Sequence, residues 1–550
     1  MGVLLQGATV VDGTRSPARR GDVRVEGGTI VEVGPDLPVG GDQTVDLDGL
    51  VLAPGFIDPH THFDAQVLWD PDLTPSSWHG VTTVVTGNCG FTLAPIPAAC
   101  RDEVVEMLSV VEGMSRPCLE AGIPWDFETF PEYLDVLDGR PKRLNLAPLV
   151  GHSALRYAAM GVHARQRPAT ADELEVMVGL VDEALEAGAL GLSTSRSTSH
   201  VGAGAAPVPS RMGAPDELER LAGPLRRRGQ GIVEATWGPD LFVEELSRLS
   251  VALERPVTWA AALTQPGRPE WTARIREATH ALPGAVYPQM SGKPLRMQVD
   301  LAATGTFPTL PAFAAALSLP RPDRLGLFAD PSWRAVVVAE MAASDWAPRL
   351  ERAVVDETVA HPALIGGPTL GELAAGDRRS ALEVLLDLAL ADDLQTRWSM
   401  VLMNDQEDEL AAMFGDDRLV LGLSDAGAHA TQLCDADAST YLLSHWWRER
   451  QVVSLEDAVW RLTGQPAELF GLEGRGRIAP GMVADLTAFD PDRVGGLPPQ
   501  RVADLPGGAD RIVVDSVGIE RVWVRGTEVR RDGRPVAGAY PGAVLRGGRG

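Results

Sequence analysis

Val51–Gln66 reads VLAPGFIDPHTHFDAQ. An apolar run passes Gly55, meets Asp58-Pro59 and ends in His60-Thr61-His62. Residues i and i+2 of a strand share a face, so both imidazoles project together from the strand's C-terminal end. Where parallel strands close into a barrel, that end gathers the catalytic groups. Two neutral imidazoles on one face begin a zinc, iron or manganese site. A bare His-x-His among ten histidines means little by itself. Its place behind an apolar strand and an Asp-Pro lead-in is what gives it weight.

Outward from this segment, the texture changes twice. The residues before it read as short strands broken by turns: Val3–Val11 alternates, Arg20–Asp22 turns, Val23–Val25 resumes, and Ile30–Val33 follows Gly27-Gly28. The chain end is similar, with β-branched runs at Ala484–Phe489, Ile512–Val514 and Glu520–Val524. Between them, apolar runs alternate with helical stretches such as Asp172–Ala187, Pro215–Arg228 and Leu455–Phe470. Alternation of this kind predicts a parallel α/β fold. Strands ending near His62, Cys89, Gly151, Thr194, Trp237, Thr264, Gln289 and Asp425 fit a (β/α)8 TIM barrel, with Trp398–Asn404 as a competing strand. The predicted organisation is a barrel over residues 54–475 and a small β-sandwich domain built from both chain termini, residues 1–53 and 476–550. A helical, Pro-rich insertion, Lys293–Glu383, is expected to cover the barrel mouth.

Composition narrows the function. The chain has 550 residues, 45% hydrophobic and 23% charged, with a formal net charge of −26. Phosphate binding needs clustered Lys and Arg, so a nucleic-acid partner is not expected. Only Lys142 and Lys293 supply lysine. No apolar run approaches the roughly 18 residues of a membrane span, and Met1–Asp12 runs into a strand pattern without a basic leader. Cys89, Cys100, Cys118 and Cys434 are few and irregularly spaced, as reduced thiols are. A cytoplasmic protein acting on a small molecule is expected.

Two further strand ends carry chemistry. Gly80–Phe91, GVTTVVTGNCGF, brings Cys89 to the end of a β-branched strand between Gly87 and Gly90. A buried inert thiol is the usual fate of cysteine; the position favours a thiolate ligand. Leu419–His429, LVLGLSDAGAH, puts Asp425 at the mouth of a buried strand. There it could bind metal and take a proton from water, or cap a helix. His429 could hold that carboxylate or lie on the surface.

Together these segments resemble the D-aminoacylase (N-acyl-D-amino-acid deacylase) group of the amidohydrolase superfamily. GATVVDGT at the start, GHSALR at Gly151–Arg156, AGALGLSTSR at Ala187–Arg196 and GRIAPGMVADLTAFD at Gly476–Asp490 extend the likeness over nearly the whole chain. The resemblance implies the barrel and sandwich, a zinc site with His60, His62 and Cys89 as ligands, and Asp425 as ligand and general base. The D configuration of the substrate is implied by the resemblance alone. One departure is substantial. That group has histidines ending strands five and six, where this chain reads Glu234-Ala235-Thr236-Trp237 and VTWAAALTQPG, Val257–Gly267. Glu234 is then a further ligand or base, or a salt-bridged carboxylate, and a single ion is expected.

With a divalent metal, Asp425 would accept a water proton and return it to the leaving nitrogen. A carboxylate-bearing substrate needs a cation: Lys293 is the first choice, then Arg196 and Arg156, with His152 and His429 as further contacts. Amide hydrolysis of an N-acyl amino acid or peptide-like molecule is expected. Ring opening of a cyclic amide in the manner of hydantoinases is the nearer rival, although Gly191–Arg196 offers no strand-four lysine. A degenerate barrel that binds without turnover is the other.

Overall fold

At Gly55 the chain leaves its terminal β layer and enters the barrel. A Cβ there would stand 2.1 Å from the Thr82 hydroxyl, so only glycine lets the two layers meet. The computed structural model describes residues 2–202, 206–302, 307, 309–377 and 379–550. It separates into two compact units. One comprises Met1–Leu263, Arg268–Lys293 and Glu407–Gly550; the other comprises Thr264–Gly267 and Pro294–Gln406.

The first unit holds the (β/α)8 barrel. Its strands are β1 (Phe56–Asp58), β2 (Val81–Thr86), β3 (Asn145–Pro148, resumed at Val150–Gly151), β4 (Gly191–Ser195), β5 (Ile232–Thr236), β6 (Val257–Ala260), β7 (Val286–Met290) and β8 (Val420–Leu421). Neighbours pair in parallel from β1 to β3 and from β3 to β8. The ends close where the His62 N–H donates to Ala426 O at 2.7 Å. Side chains alternate across each strand. On β5, Val233 and Ala235 join the core packed beneath the helices, which turns Glu234 to the barrel interior.

Local chemistry explains the helices. Ala171–Ala187 starts with a capping box between Thr170 and Glu173 and stops at Gly188, whose φ is 115°. The single helix expected over Leu455–Phe470 is instead two, Leu455–Leu462 and Gly464–Phe470. Thr463 leaves helical geometry where Gly464 and the donor-less Pro466 follow.

Both chain ends meet in one nine-stranded sheet. Val51–Pro54 lies between Val3–Val10 and Leu486–Phe489, parallel to the first and antiparallel to the second. Leu5, Val10, Val23, Leu52, Leu486 and Trp523 form the core of this β-sandwich layer.

In the second unit, Leu295–Asp300, Arg397–Met403 and Val354–Glu357 form an antiparallel sheet, ordered with Arg397–Met403 in the centre. Helices pack on it around Phe313, Phe328, Leu385 and Trp398. The expected insertion over 293–383 therefore falls short of the unit, which reaches Gln406; residues 303–306, 308 and 378 lie outside the described residues. Trp398–Asn404, the competing barrel strand, belongs to this sheet instead. The sixth barrel strand ends at Ala260, and Thr264 lies in this second unit. No helix among the described residues is long and apolar enough to cross a membrane.

Candidate active site

Three strand ends bring the first donors together. His60 and His62 follow β1, their rings 5.4 Å apart. Cys89 sits in a tight turn after β2, where Gly87, Cys89 and Gly90 all have positive φ. Donor atoms of His60, His62 and Cys89 lie within 4.8 Å of one another, and all three residues are buried. Asp425, past the end of β8, brings Oδ1 to 3.4 Å from His60 Nε2 and 3.8 Å from His62 Nε2.

Orientation is fixed from behind. Gln289 Oε1 accepts from His60 Nδ1 at 2.6 Å, which leaves Nε2 bare and facing Cys89 Sγ at 3.4 Å. The Cys89 N–H donates to Glu234 Oε2 at 2.7 Å. Glu234 Oε1 is buried with no hydrogen-bond partner among the described residues. Asp64 repeats the arrangement: Oδ2 accepts the Gly87 N–H at 3.0 Å, and Oδ1 is buried without a partner.

The electrostatics are lopsided. Burial lowers His60 to about 4, with Gln289 opposing, and drives His62 well below its usual value; both rings are neutral. Burial raises Glu234 to about 8 against the Cys89 N–H and Asp64 to about 7 against the Gly87 N–H. Burial, then the charge of Asp425, lifts Glu112. Burial raises Asp425 as well, with His429 opposing, and burial plus Glu234 lifts the Cys89 thiol. Several acidic groups thus crowd a pocket whose imidazoles carry no charge. Buried anions need a partner, and a divalent cation is the group that would let these ionise together.

Spacing supports the same fit. Two donors bound at about 2.1 Å to one tetrahedral ion stand about 3.4 Å apart. The His60–Asp425, His62–Glu112 and His62–Asp425 separations of 3.4, 3.6 and 3.8 Å are long for hydrogen bonds and near that chord, and the 3.4 Å between His60 Nε2 and Cys89 Sγ is near it as well. The residues present therefore fit a divalent metal, held first by His60, His62 and Cys89.

Other expected contacts lie elsewhere. The Lys293 ammonium is matched by Asp435 and Asp437 at 2.8 and 2.5 Å. Arg196 pairs with Asp240 and donates to Ser210 O and Gly213 O at 2.9 and 3.1 Å. Arg156 is fully buried against Glu217 and donates to Arg167 O at 2.6 Å. His152 shares that carboxylate at 2.8 Å and meets Thr194 Oγ1 at 2.9 Å. Each of these four is bound into the protein's own hydrogen-bond and ion-pair network. His429 does reach the site, with Nε2 3.8 Å from Glu112 Oε2.

Glu112 and His200 are among the neighbours that escaped the reading of the sequence. Glu112 follows the helix Arg101–Val111, where an acidic residue opposes the macrodipole; that mismatch was the available signal. His200 lies in the loop after β4, its Nδ1 2.7 Å from Ser195 Oγ and its ring against Phe91. Serine-rich loop sequence gives it no periodicity to stand out from.

A parallel barrel with a buried His-His-Cys cluster and an acid at its C-terminal mouth, joined to a β layer from both termini, defines a metal-dependent hydrolase. The comparisons with known proteins make this specific. The chain belongs to the amidohydrolase family, whose model matches residues 43–291 and 324–530. It is 31% identical to a D-aminoacylase of Alcaligenes xylosoxydans xylosoxydans over 99% of this chain and 97% of that one. With an N-acyl-D-aspartate deacylase of the same organism it shares 32% identity over 99% and 95%. Among solved structures, it is similar to an N-acyl-D-glutamate deacylase from Bordetella bronchiseptica, complexed with zinc and a phosphonate inhibitor. That match has a TM-score of 0.65 and 27% identity, and covers 99% of both chains. The chain is an enzyme of amide C–N hydrolysis that depends on a divalent metal.

Proposed function

We propose that this enzyme hydrolyses the amide bond of an N-acyl amino acid of D configuration, releasing a carboxylic acid and the free amino acid. The observation that carries the reading is the convergence of His60, His62 and Cys89 with Asp425 at one barrel mouth. The near full-length likeness to deacylases of N-acyl-D-amino acids supports the substrate. A divalent ion held there supplies charge that acidifies water and polarises a carbonyl. The rest is the work of the chain. Gln289 holds His60 in the tautomer that bares Nε2, and the Glu234 carboxylate fixes the turn that presents Cys89. Asp425 is the one acid at the cluster with a partly exposed side chain, at 26%. Burial makes it a stronger base than an ordinary carboxylate. It takes the proton of the attacking water and delivers it to the leaving nitrogen, as a general base turned general acid does.

The substrate is a small molecule met in the cytoplasm, with neither nucleic acid nor membrane as a partner. The acidic balance of −26 and four free cysteines support that placement. The test is to strip metal with a chelator, restore zinc, and assay N-acetyl-D- and N-acetyl-L-amino acids side by side. Zinc-restored release of D-amino acids is expected. Zinc-loaded protein that binds metal yet releases neither enantiomer would overturn the substrate assignment.

A further inference from the structure

Glu112 has no part in the scheme above, yet it is among the most buried acids of the site, at 2% exposure. Two imidazoles face it: His62 Nε2 at 3.6 Å and His429 Nε2 at 3.8 Å from the same Oε2. Neither separation is a hydrogen bond. The first is near the chord expected for two donors on one ion.

The backbone is built to hold Glu112 there. Its N–H continues the preceding helix by donating to Leu108 O at 3.1 Å, and its own carbonyl accepts the His429 N–H at 2.5 Å. That last bond ties the loop after β2 to the loop after β8. His429 has a φ of 50° and Gly113 a φ of 58°. A Cβ on Gly113 would meet the His429 Cα at 3.4 Å, so the two turns are closely fitted around this contact. An acid at a helix C-terminus, opposed to the macrodipole and shut away from water, is unfavourable unless a cation answers it.

We infer that Glu112 is a metal ligand, binding the ion held by His62, and that His429 is the positioning residue that steadies its carboxylate. The inference rests on the metal centre proposed above. It gives the ion an anionic oxygen donor from a loop, beside the two imidazoles and the thiolate from the strand ends. Asp425 is then left to handle the proton.

The test is zinc affinity of the full-length apoprotein, read by competition with a chromophoric chelator, for wild type, Glu112→Gln, His429→Gln and Cys89→Ser. Loss of a ligand predicts at least about 100-fold weaker zinc in Glu112→Gln. Loss of a positioning partner predicts about 10–100-fold in His429→Gln. Apoprotein melting temperatures within a few degrees of wild type would exclude a merely structural effect. Zinc held by Glu112→Gln as tightly as by wild type, with Cys89→Ser weakened, would overturn the inference and leave the centre standing. No zinc bound by wild type would overturn both. Should Glu112→Gln fail to fold, a structure of zinc-loaded wild type decides. A Glu112 oxygen about 2.0–2.2 Å from the ion is expected, and one beyond hydrogen-bond distance contradicts the inference.

Discussion

Where β1, β2 and β8 end, the barrel mouth carries His60, His62, Cys89 and Asp425. Where β5 and β6 end, it carries Trp237 and Ala260, and the local chemistry is aromatic. Phe242 is the hub there, stacked on Trp271 at 5.6 Å and packed on Trp237 and Trp259 at 5.3 and 5.4 Å. The same kind of position, the C-terminal end of a parallel strand, thus holds residues that could bind a metal on one side and hydrophobic packing on the other. The scaffold supplies direction, and the side chain at each strand end supplies the chemistry. Donors can leave one edge without disturbing the strands, provided the gap is filled. Here the packing beside that edge is of rings, each pair worth about 0.5–1.5 kcal/mol beyond buried area.

If that division is real, the edges respond to mutation in different ways. Asp425→Asn, on the donor edge, should lower kcat by about 10²–10⁴-fold and shift the melting temperature by no more than a few degrees. Steady-state kinetics near wild type would remove Asp425 as the proton carrier. Lys293→Ala tests the region after β7, where a cation first assigned to substrate is locked between two carboxylates. Stranding Asp435 and Asp437 should destabilise the fold by about 3–5 kcal/mol. KM should change alike for charged and neutral amides; a rise confined to carboxylate-bearing substrates would restore Lys293 as an anchor. Phe242→Ala, at the centre of the aromatic edge, should cost about 3 kcal/mol of stability, the low end for a ring that is only partly buried, with zinc stoichiometry unchanged. Zinc lost with the ring would show that the two edges are not separate.

Much of the donor edge was legible before any coordinates. The His60–His62 spacing is a strand periodicity, and Cys89 and Asp425 each stand where an apolar run stops, so position along the chain translates directly into position at the mouth. The barrel and the terminal sheet follow from the same alternation. What stayed hidden depends on contacts between distant residues. Glu112 meets His62 and His429 only because two loops are tied by one backbone bond. The partners of the cations were hidden for the same reason: Asp240 lies 44 residues from Arg196, Glu217 lies 61 from Arg156, and Asp437 lies 144 from Lys293. A local pattern cannot show that a charge is already matched. The helix break at Thr463, by contrast, was readable from Gly464 and Pro466.

The central claim is that His60 and His62 hold a metal. Elemental analysis of purified wild type beside the His60→Ala, His62→Ala double mutant tests it most directly. At least one tightly held divalent metal per wild-type chain, lost in the double mutant while the fold persists, is the predicted result. A wild type that takes up no metal even after zinc loading, or a double mutant that retains it, would contradict the account.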